Sequence, residues 1–370
     1  MFVKPIISDS DFYEVQSEWI TFEGKVDNKN ITTSYEWQRT WWKHFKDYEN
    51  KEFGYNKKLC ILFLYNDENI LRAIAPFCEI TRIKSGLKYK TIEFLAQQWG
   101  ANYLDIITDK LTEDEFSFLF SWLETNKKYD VLELKYIPVF TQNFKINTDC
   151  LTVMSACPEM DFKNYLDAEE YRQNVYSKNL KKKLRKAVNR LEKDNIKYRE
   201  RIIDIKDIDI NSIKAVSRSK LLDDKHCIYD EPEKEKFLKD IYYNPVFKTN
   251  IATILFDDKF VSYRINLFYN NYKYCFDASF DREYHYYELG PLTIDLNVGD
   301  TFEKKISVYC KCTGIDPYKL KFANKINRIY TFLQKGNTVK GLFWYLAKKN
   351  YNRKIAEEFE KTLEENLQKG

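Results

Sequence analysis

Side chains able to hold polar groups or move protons recur at every second position through Phe260-Val-Ser-Tyr-Arg-Ile-Asn-Leu-Phe-Tyr269 and Tyr272-Lys-Tyr-Cys-Phe-Asp-Ala-Ser-Phe280. The intervening Asn270-Asn271 predicts a two-residue hairpin turn, because Asn tolerates positive φ better than most residues. Such a turn sets Tyr269 opposite Tyr272 and therefore Arg264 opposite Asp277. Alternation then gives one apolar face with Val261, Tyr263, Ile265, Leu267, Tyr272, Tyr274, Phe276, Ala278 and Phe280. The other face carries Ser262, Arg264, Asn266, Cys275, Asp277 and Ser279. That polar face has two meanings. It is a half-solvated sheet with one cross-strand ion pair, worth about 0.2–1 kcal/mol, or it floors a cleft for a polar acceptor.

Other chemistry-bearing patterns are sparse. The run Lys178-Asn-Leu-Lys-Lys-Lys-Leu-Arg-Lys186, with Arg190, reads as the solvated side of an amphipathic helix. It also suits a phosphate-bearing ligand, either a cofactor tail or an RNA backbone. Eight cysteines are scattered without a Cys-x-x-Cys, and Cys310-Lys-Cys312 is the sole close pair. The three histidines, His44, His226 and His285, lack the spacing of zinc ligands, so no metal is expected. No Gly-x-Ser-x-Gly elbow occurs, which removes that route to a nucleophilic serine.

The elements that must carry these residues follow from patterning. A chain of 370 residues predicts two domains. The first 55 residues read as helices in which Trp19, Trp37, Trp41 and Trp42 are packing material. Leu59–Tyr65, an acidic turn and Ile70–Pro76 form strand, turn and strand, with further strand-like runs at 91–95, 105–108 and 131–135 and a helix at 113–126. Residues 138–160 read as the connection between halves. A long helix over 169–193, a strand at 197–203 and helices near 208–222 and 233–242 precede the strands at 250–256, 260–269 and 272–280. A helix then starts near Gly290-Pro291, a short strand spans 306–310, and a closing helix covers 339–367. Strand, acidic turn and strand recur about 190 residues apart, which suggests duplication of one fold. The expected division is 1–160, 161–335 and a C-terminal helix over 336–370, each half an α/β (α+β) domain with a mixed sheet.

Composition excludes some partners. The formal net charge of +4 gives no overall pull toward DNA or a membrane surface, and no apolar run is long enough to span a bilayer. Met1-Phe2-Val3-Lys4-Pro5 has no apolar stretch behind it, so no secretory signal is expected and the cytoplasm follows by elimination.

Three separated stretches carry a family likeness: Ser177–Glu192, the basic helix; Phe276-Asp-Ala-Ser-Phe-Asp281 with Tyr286, Tyr287 and Gly290-Pro291-Leu292; and Gly314-Ile-Asp-Pro-Tyr-Lys319. In this order they resemble the GNAT-superfamily acetyltransferases associated with bacterial cellulose and polysaccharide synthesis, relatives of the Fem peptidyltransferases. The resemblance spans about 161–331 and implies two tandem GNAT-like domains with the active site in the second. It implies acetyl-CoA or another acyl-CoA as donor, its pyrophosphate received at the helix start by Gly290, Pro291 and Leu292. Asp277 or Glu288 would serve as base, and Tyr318 would protonate the leaving thiolate. Ser262, Arg264, Asn266, Ser279 and Lys319 would meet a small-molecule or saccharide acceptor for N- or O-transfer. The family usually has Asp four residues before the motif glycine, followed by an aromatic or apolar residue, where this chain has Cys310 and Lys311. Two alternatives stay open: an aminoacyl-tRNA-dependent, Fem-like peptidyltransferase, for which tRNA would be a partner, and a GNAT-fold binding protein that has lost its chemistry.

Overall fold

The computed structural model describes residues 1–27, 30–141, 143–223 and 226–368. In chain order these begin with β1 (Phe2–Ile6), α1 (Asp9–Glu14), α2 (Gln16–Lys25), α3 (Tyr35–Phe45), β2 (Tyr55–Tyr65) and β3 (Leu71–Lys84). They continue with β4 (Leu87–Phe94), α4 (Glu113–Asn126), β5 (Val131–Pro138), β6 (Leu151–Asp161), α5 (Ala168–Val175) and α6 (Lys178–Lys193). Next come β7 (Tyr198–Asp204), α7 (Ile210–Arg218), α8 (Pro232–Tyr242), β8 (Lys248–Phe256), β9 (Lys259–Tyr269) and β10 (Tyr272–Phe280). The chain closes with α9 (Leu289–Glu303), β11 (Val308–Cys310), α10 (Pro317–Leu320), β12 (Lys325–Lys335) and α11 (Gly341–Gln368).

Two compact units result. One comprises Met1–Ala156 with Asn327–Thr362, and the other Cys157–Ile326 with Leu363–Gly370. In the first, strands run in the order β1-β2-β3-β4-β5-β12. The first three pairings are antiparallel, β4 with β5 is parallel, and β5 with β12 is antiparallel. In the second unit the order is β7-β8-β9-β10-β11-β6, with the same succession of antiparallel, parallel and antiparallel pairings. The weak sequence echo thus corresponds to one topology used twice, a mixed and mainly antiparallel sheet flanked by helices.

The closing strands are exchanged along the chain. β12 comes after the second unit's elements yet completes the first, while residues 157–161 of β6 come before them and complete the second. The expected division at 160 and 335 differs from this, because 138–160 reads as connection although Leu151–Asp161 is a strand. β12, with alternating Ile326, Arg328 and Tyr330, was not anticipated at all. The stretch at 105–108 makes only a bridge, Ile74 to Ile107. The expected helix over 169–193 breaks at Tyr176 and restarts at Ser177, whose hydroxyl caps α6 by accepting from the Leu180 N–H.

Each unit has its own core. On α4 the spacing of Phe116, Leu119, Phe120 and Leu123 puts four apolar side chains on one stripe, packed with Phe77, Phe94, Phe144 and Phe332. Trp19, Trp37 and Trp41 are fully buried, as packing material should be. In the second unit, Leu180, Ile294, Val298, Tyr309 and Phe322 form one cluster, and Ala187, Leu191, Ile254, Leu289 and Leu292 another. Both clusters use α6 and α9, so these two helices are held side by side.

Candidate functional site

In the second unit the parallel pairing of β10 with β11 covers only Tyr272–Tyr274 against Val308–Cys310. β11 stops there while β10 runs on to Phe280, so the two strands part at Cys275. α9 begins after β10, and its first helical N–H groups, on Leu289 and Gly290, have no acceptor within the helix. Its N-cap is Glu288, in the left-handed region at φ 53°, and the Glu288 side chain makes no capping bond. Instead Glu288 pairs with Lys183 of α6 at 2.9 Å. Arg190 of α6 donates to the Tyr286 carbonyl at 2.6 Å and lies 4.3 Å from the Tyr286 ring. The basic helix therefore flanks the start of α9, adding side-chain charge to the positive end of the helix dipole.

The equivalent helix of the first unit is arranged the other way. The Thr112 hydroxyl and the Glu115 carboxylate form a capping box at the start of α4, and Glu113 and Asp114 add further negative charge. An anionic ligand would meet acids and engaged N–H groups there. At α9 it would meet no acid in the first turn, the N-cap carboxylate of Glu288 being already paired with Lys183, and Arg190 close by.

The hairpin of β9 and β10 corrects the expected pairing. Asn270 and Asn271 adopt φ of 46° and 62°, and Tyr269 pairs with Tyr272, as the turn predicts. The register holds to Cys275 opposite Asn266, then slips at a bulge, so Asp277 faces Ile265 and Ala278 faces Arg264. One extra residue, Phe276, moves every later side chain to the opposite face. Asp277 consequently lies away from Arg264. Its Oδ2 accepts from Tyr263 at 2.7 Å and Tyr229 at 2.9 Å, and Lys220 approaches Oδ1 at 3.5 Å. Ser279 turns the same way and donates to the Val216 carbonyl of α7 at 3.5 Å.

The polar face that remains is covered rather than solvated or open. Ser262 is bonded to Thr293 of α9, and Asn266 donates to Asn297 of α9 and to Asn250 of β8, both at 2.9 Å. Lys273 donates to Asp300 at 2.6 Å, and Lys304 also pairs with Asp300. Thr293, Asn297 and Thr301 fall four residues apart, one stripe of α9 facing these partners. Burial draws the Lys273 amine down to about 8 against the pull of Asp300.

Arg264 is different. It is buried, its Nη1 lies 3.4 Å from Cys275 Sγ and its Nη2 3.5 Å from the Gly290 carbonyl, and its Nε has no partner among the described residues. The Tyr318 ring, from α10, lies 5.9 Å from the guanidinium and is 42% exposed. Burial opposes ionisation of Cys275, yet Arg264 and Lys311 hold its thiol below the ordinary value. Lys319 donates to the Thr313 carbonyl at 2.6 Å and so ties the loop that follows β11. Gly290, Pro291 and Leu292 form the first turn of α9, with Leu292 turned into the core. A methyl added at Gly290 would meet only the Phe280 ring at 3.6 Å, ordinary contact, so packing does not require glycine there.

The strand parting thus gathers Arg264, Tyr318 and the α9 start, with Glu288 at its rim, and leaves Asp277 and Ser279 on the far face. Sequence reasoning gave no role to Tyr309, whose hydroxyl donates to Asn266 at 3.1 Å, or to Lys311, whose buried amine has no hydrogen-bond partner among the described residues. The signal for Lys311 was its charge where the family resemblance implies an aromatic or apolar residue. Among the described residues no cluster of three or more His, Cys, Asp and Glu could hold a metal ion, and no helix is long and apolar enough to cross a membrane.

The acetyltransferase (GNAT) domain family matches residues 178–320, the stretch from the start of α6 to the end of α10. No curated protein matches the sequence. Among solved structures, FemX superposes with a TM-score of 0.59 at 8% identity, over 90% of this chain and 98% of that one. A tandem GNAT protein from the clavulanic acid biosynthesis pathway gives 0.51 at 8% identity, over 91% and 99%. The C-terminal domain of a putative lysylphosphatidylglycerol synthetase from Agrobacterium fabrum gives 0.50 at 10%, over 92% and 96%. These likenesses concern the fold: the chain consists of two GNAT-like domains, and the stretch that matches the acetyltransferase (GNAT) domain family lies in the second unit.

Proposed function

We propose that the protein transfers an acyl group from an acyl-CoA to the amine or hydroxyl of a small or sugar-like acceptor, at the parting of β10 and β11. The observation that carries this reading is the contrast between the two helix starts. α9 is uncapped, free of first-turn acids and flanked by Lys183 and Arg190, whereas α4 is capped and acidic. A pyrophosphate is favoured at the first and repelled at the second.

In this reading the donor's pyrophosphate lies on the Leu289 and Gly290 N–H groups, and its thioester reaches between the parted strands. Pro291 supplies no N–H and fixes the first turn. Tyr318 gives a proton to the departing thiolate. Glu288 is the carboxylate nearest the donor and the remaining candidate for base, while Asp277 and Ser279 position β10 from its other face. Arg264 holds an anionic group, and Lys319 keeps the Gly314–Tyr318 loop in place. The reaction belongs in the cytoplasm, where acyl-CoA is formed.

Acceptor-dependent release of free thiol from acetyl-CoA and longer acyl-CoAs, across a panel of amines and sugars, tests the proposal. Release with at least one acceptor is expected, and CoA binding without release would leave the chain a binding protein. The exposed Lys178, Lys182, Arg185 and Lys186 of α6 favour a second reading, transfer from an aminoacyl-tRNA. Salt-sensitive tRNA binding that disappears when Lys182, Arg185 and Lys186 become Ala would support it; tRNA binding unchanged by those substitutions would not.

A further inference from the structure

Two buried basic side chains of the second unit, Arg264 and Lys311, lie near enough for the charge of one to act on the other. Arg264 comes from β9 and Lys311 from the first position after β11. Lys311 is 2% exposed and Arg264 6%, and among the described residues neither Lys311 Nζ nor Arg264 Nε has a hydrogen-bond partner. Lys311 lies 4.7 Å from the Tyr309 ring and 5.9 Å from that of Phe322, so aromatic faces line its sides. The groups whose charge acts most on Lys311 are Arg264, Cys275, Lys319 and Lys273, and those acting on Arg264 are Cys275, Tyr309 and Tyr318. No acid is among them. Lys273 is already matched by Asp300.

Such a pair is costly to leave alone. A buried charge is tolerated when a counter-charge or hydrogen-bond acceptors meet it. Burial and then the neighbouring Arg264 push the Lys311 amine well below its ordinary value, and Cys275, even as thiolate, supplies one negative charge for both basic groups. Its sulfur is 3.4 Å from Arg264 Nη1, which leaves Nε and the Lys311 amine unmet. The guanidinium presents a planar fork suited to a carboxylate, and the lysine a single donor beside it. Elsewhere on β9 the polar side chains Ser262 and Asn266 are satisfied by α9, so on that strand Arg264 differs from its polar neighbours. Tyr318, the ring nearest the guanidinium on α10, is half-exposed, which brings Arg264 within one side chain of solvent.

We infer that Arg264 and Lys311 form a carboxylate-binding subsite, and that the substrate presenting the carboxylate places it beside the parted ends of β10 and β11. The carboxylate comes either from the acyl chain of the donor or from the acceptor; this assignment to substrate rests on the acyl-transfer reading, whereas the subsite itself does not.

Calorimetry on the full chain separates the sources. Succinyl-CoA and butyryl-CoA differ in a terminal carboxylate against a methyl group; alanine and alaninamide, titrated in the presence of saturating CoA, differ in the same charge on the acceptor side. The charged member of one pair is expected to bind about tenfold tighter or better. That preference disappears in Lys311→Met and in Lys311→Gln, which keeps a polar head without charge. Equal affinities within both pairs overturn the inference. If CoA itself does not bind, the acyl-CoA reading fails while the subsite is still tested by succinate alone. A rise in Tm of the wild type that is absent from Lys311→Met supports it, and no rise overturns it. Lys311→Met without ligand should melt no lower than wild type, because it removes an unmatched buried amine; clear destabilisation would show that Lys311 is satisfied within the fold and would contradict the subsite.

Discussion

Single residues decide how the site is read. Asp277 has the right chemistry for a base, but the bulge at Phe276 directs it to Tyr229, Tyr263 and Lys220. Asp277→Asn should therefore lower stability by about 2–4 kcal/mol in urea unfolding, since a buried carboxylate with three donors is lost. The chemical step should change less than about threefold, where loss of a general base would cost 10²–10⁴-fold. Tyr318 is the opposite case. Tyr318→Phe should reduce kcat of thiol release by about 10²-fold with little change in KM or Tm, as expected for a proton donor to the leaving group. A one-residue bulge is invisible to period-two reading, because Phe276 is as good a strand residue as its neighbours. Lys311 was visible as an oddity of composition, but its lack of a partner is a property of three-dimensional packing.

At the scale of elements, the donor is proposed to sit at the start of α9, while the capping box at the start of α4 stabilises its helix. Thr112→Ala removes the capping box and should cost about 1 kcal/mol of stability without altering donor affinity. Lys183→Ala with Arg190→Ala should weaken CoA binding by about tenfold, an effect that shrinks as salt rises. Loss of both charges with no change in affinity at low salt would count against the placement of the pyrophosphate. Helix α4, strands β8 to β10 and the onset of α9 at its Gly-Pro pair were legible from caps, periodicity and turn residues. The break between α5 and α6 was not, because the apolar stripe of α6 hides the extended Tyr176 before the Ser177 cap. β6 and β12 escaped notice for a related reason. β6 continues directly from the first unit yet closes the second, and β12 continues directly from the second unit yet closes the first, so local order in sequence points the wrong way.

At the scale of the molecule, one topology occurs twice but only one copy has an open helix start. Both copies depend on buried acids held ionised. Burial opposes ionisation of Glu93, but Arg82, with bonds at 2.8 and 2.6 Å, holds it well below the usual carboxylate range. Burial likewise opposes Glu133, Glu115 and Asp300, and Lys135 with Lys348, Arg72, and Lys273 with Lys304 respectively bring them down. Because these folded-state values lie below the unfolded ones, the stability they contribute is present above about pH 4.5 and lost as pH falls further. The protein should therefore hold a flat unfolding free energy from neutrality to about pH 5 and lose it steeply below pH 4. Glu93→Gln should flatten that loss, and an unchanged acid limb would contradict the pairing.

The central claim, that a single donor site lies at the start of α9, is tested most directly by calorimetric titration of the full chain with CoA. One equivalent should bind per chain, with affinity lost in Gly290→Asp and kept in Thr112→Ala. Two equivalents, or no heat at millimolar CoA, would contradict it.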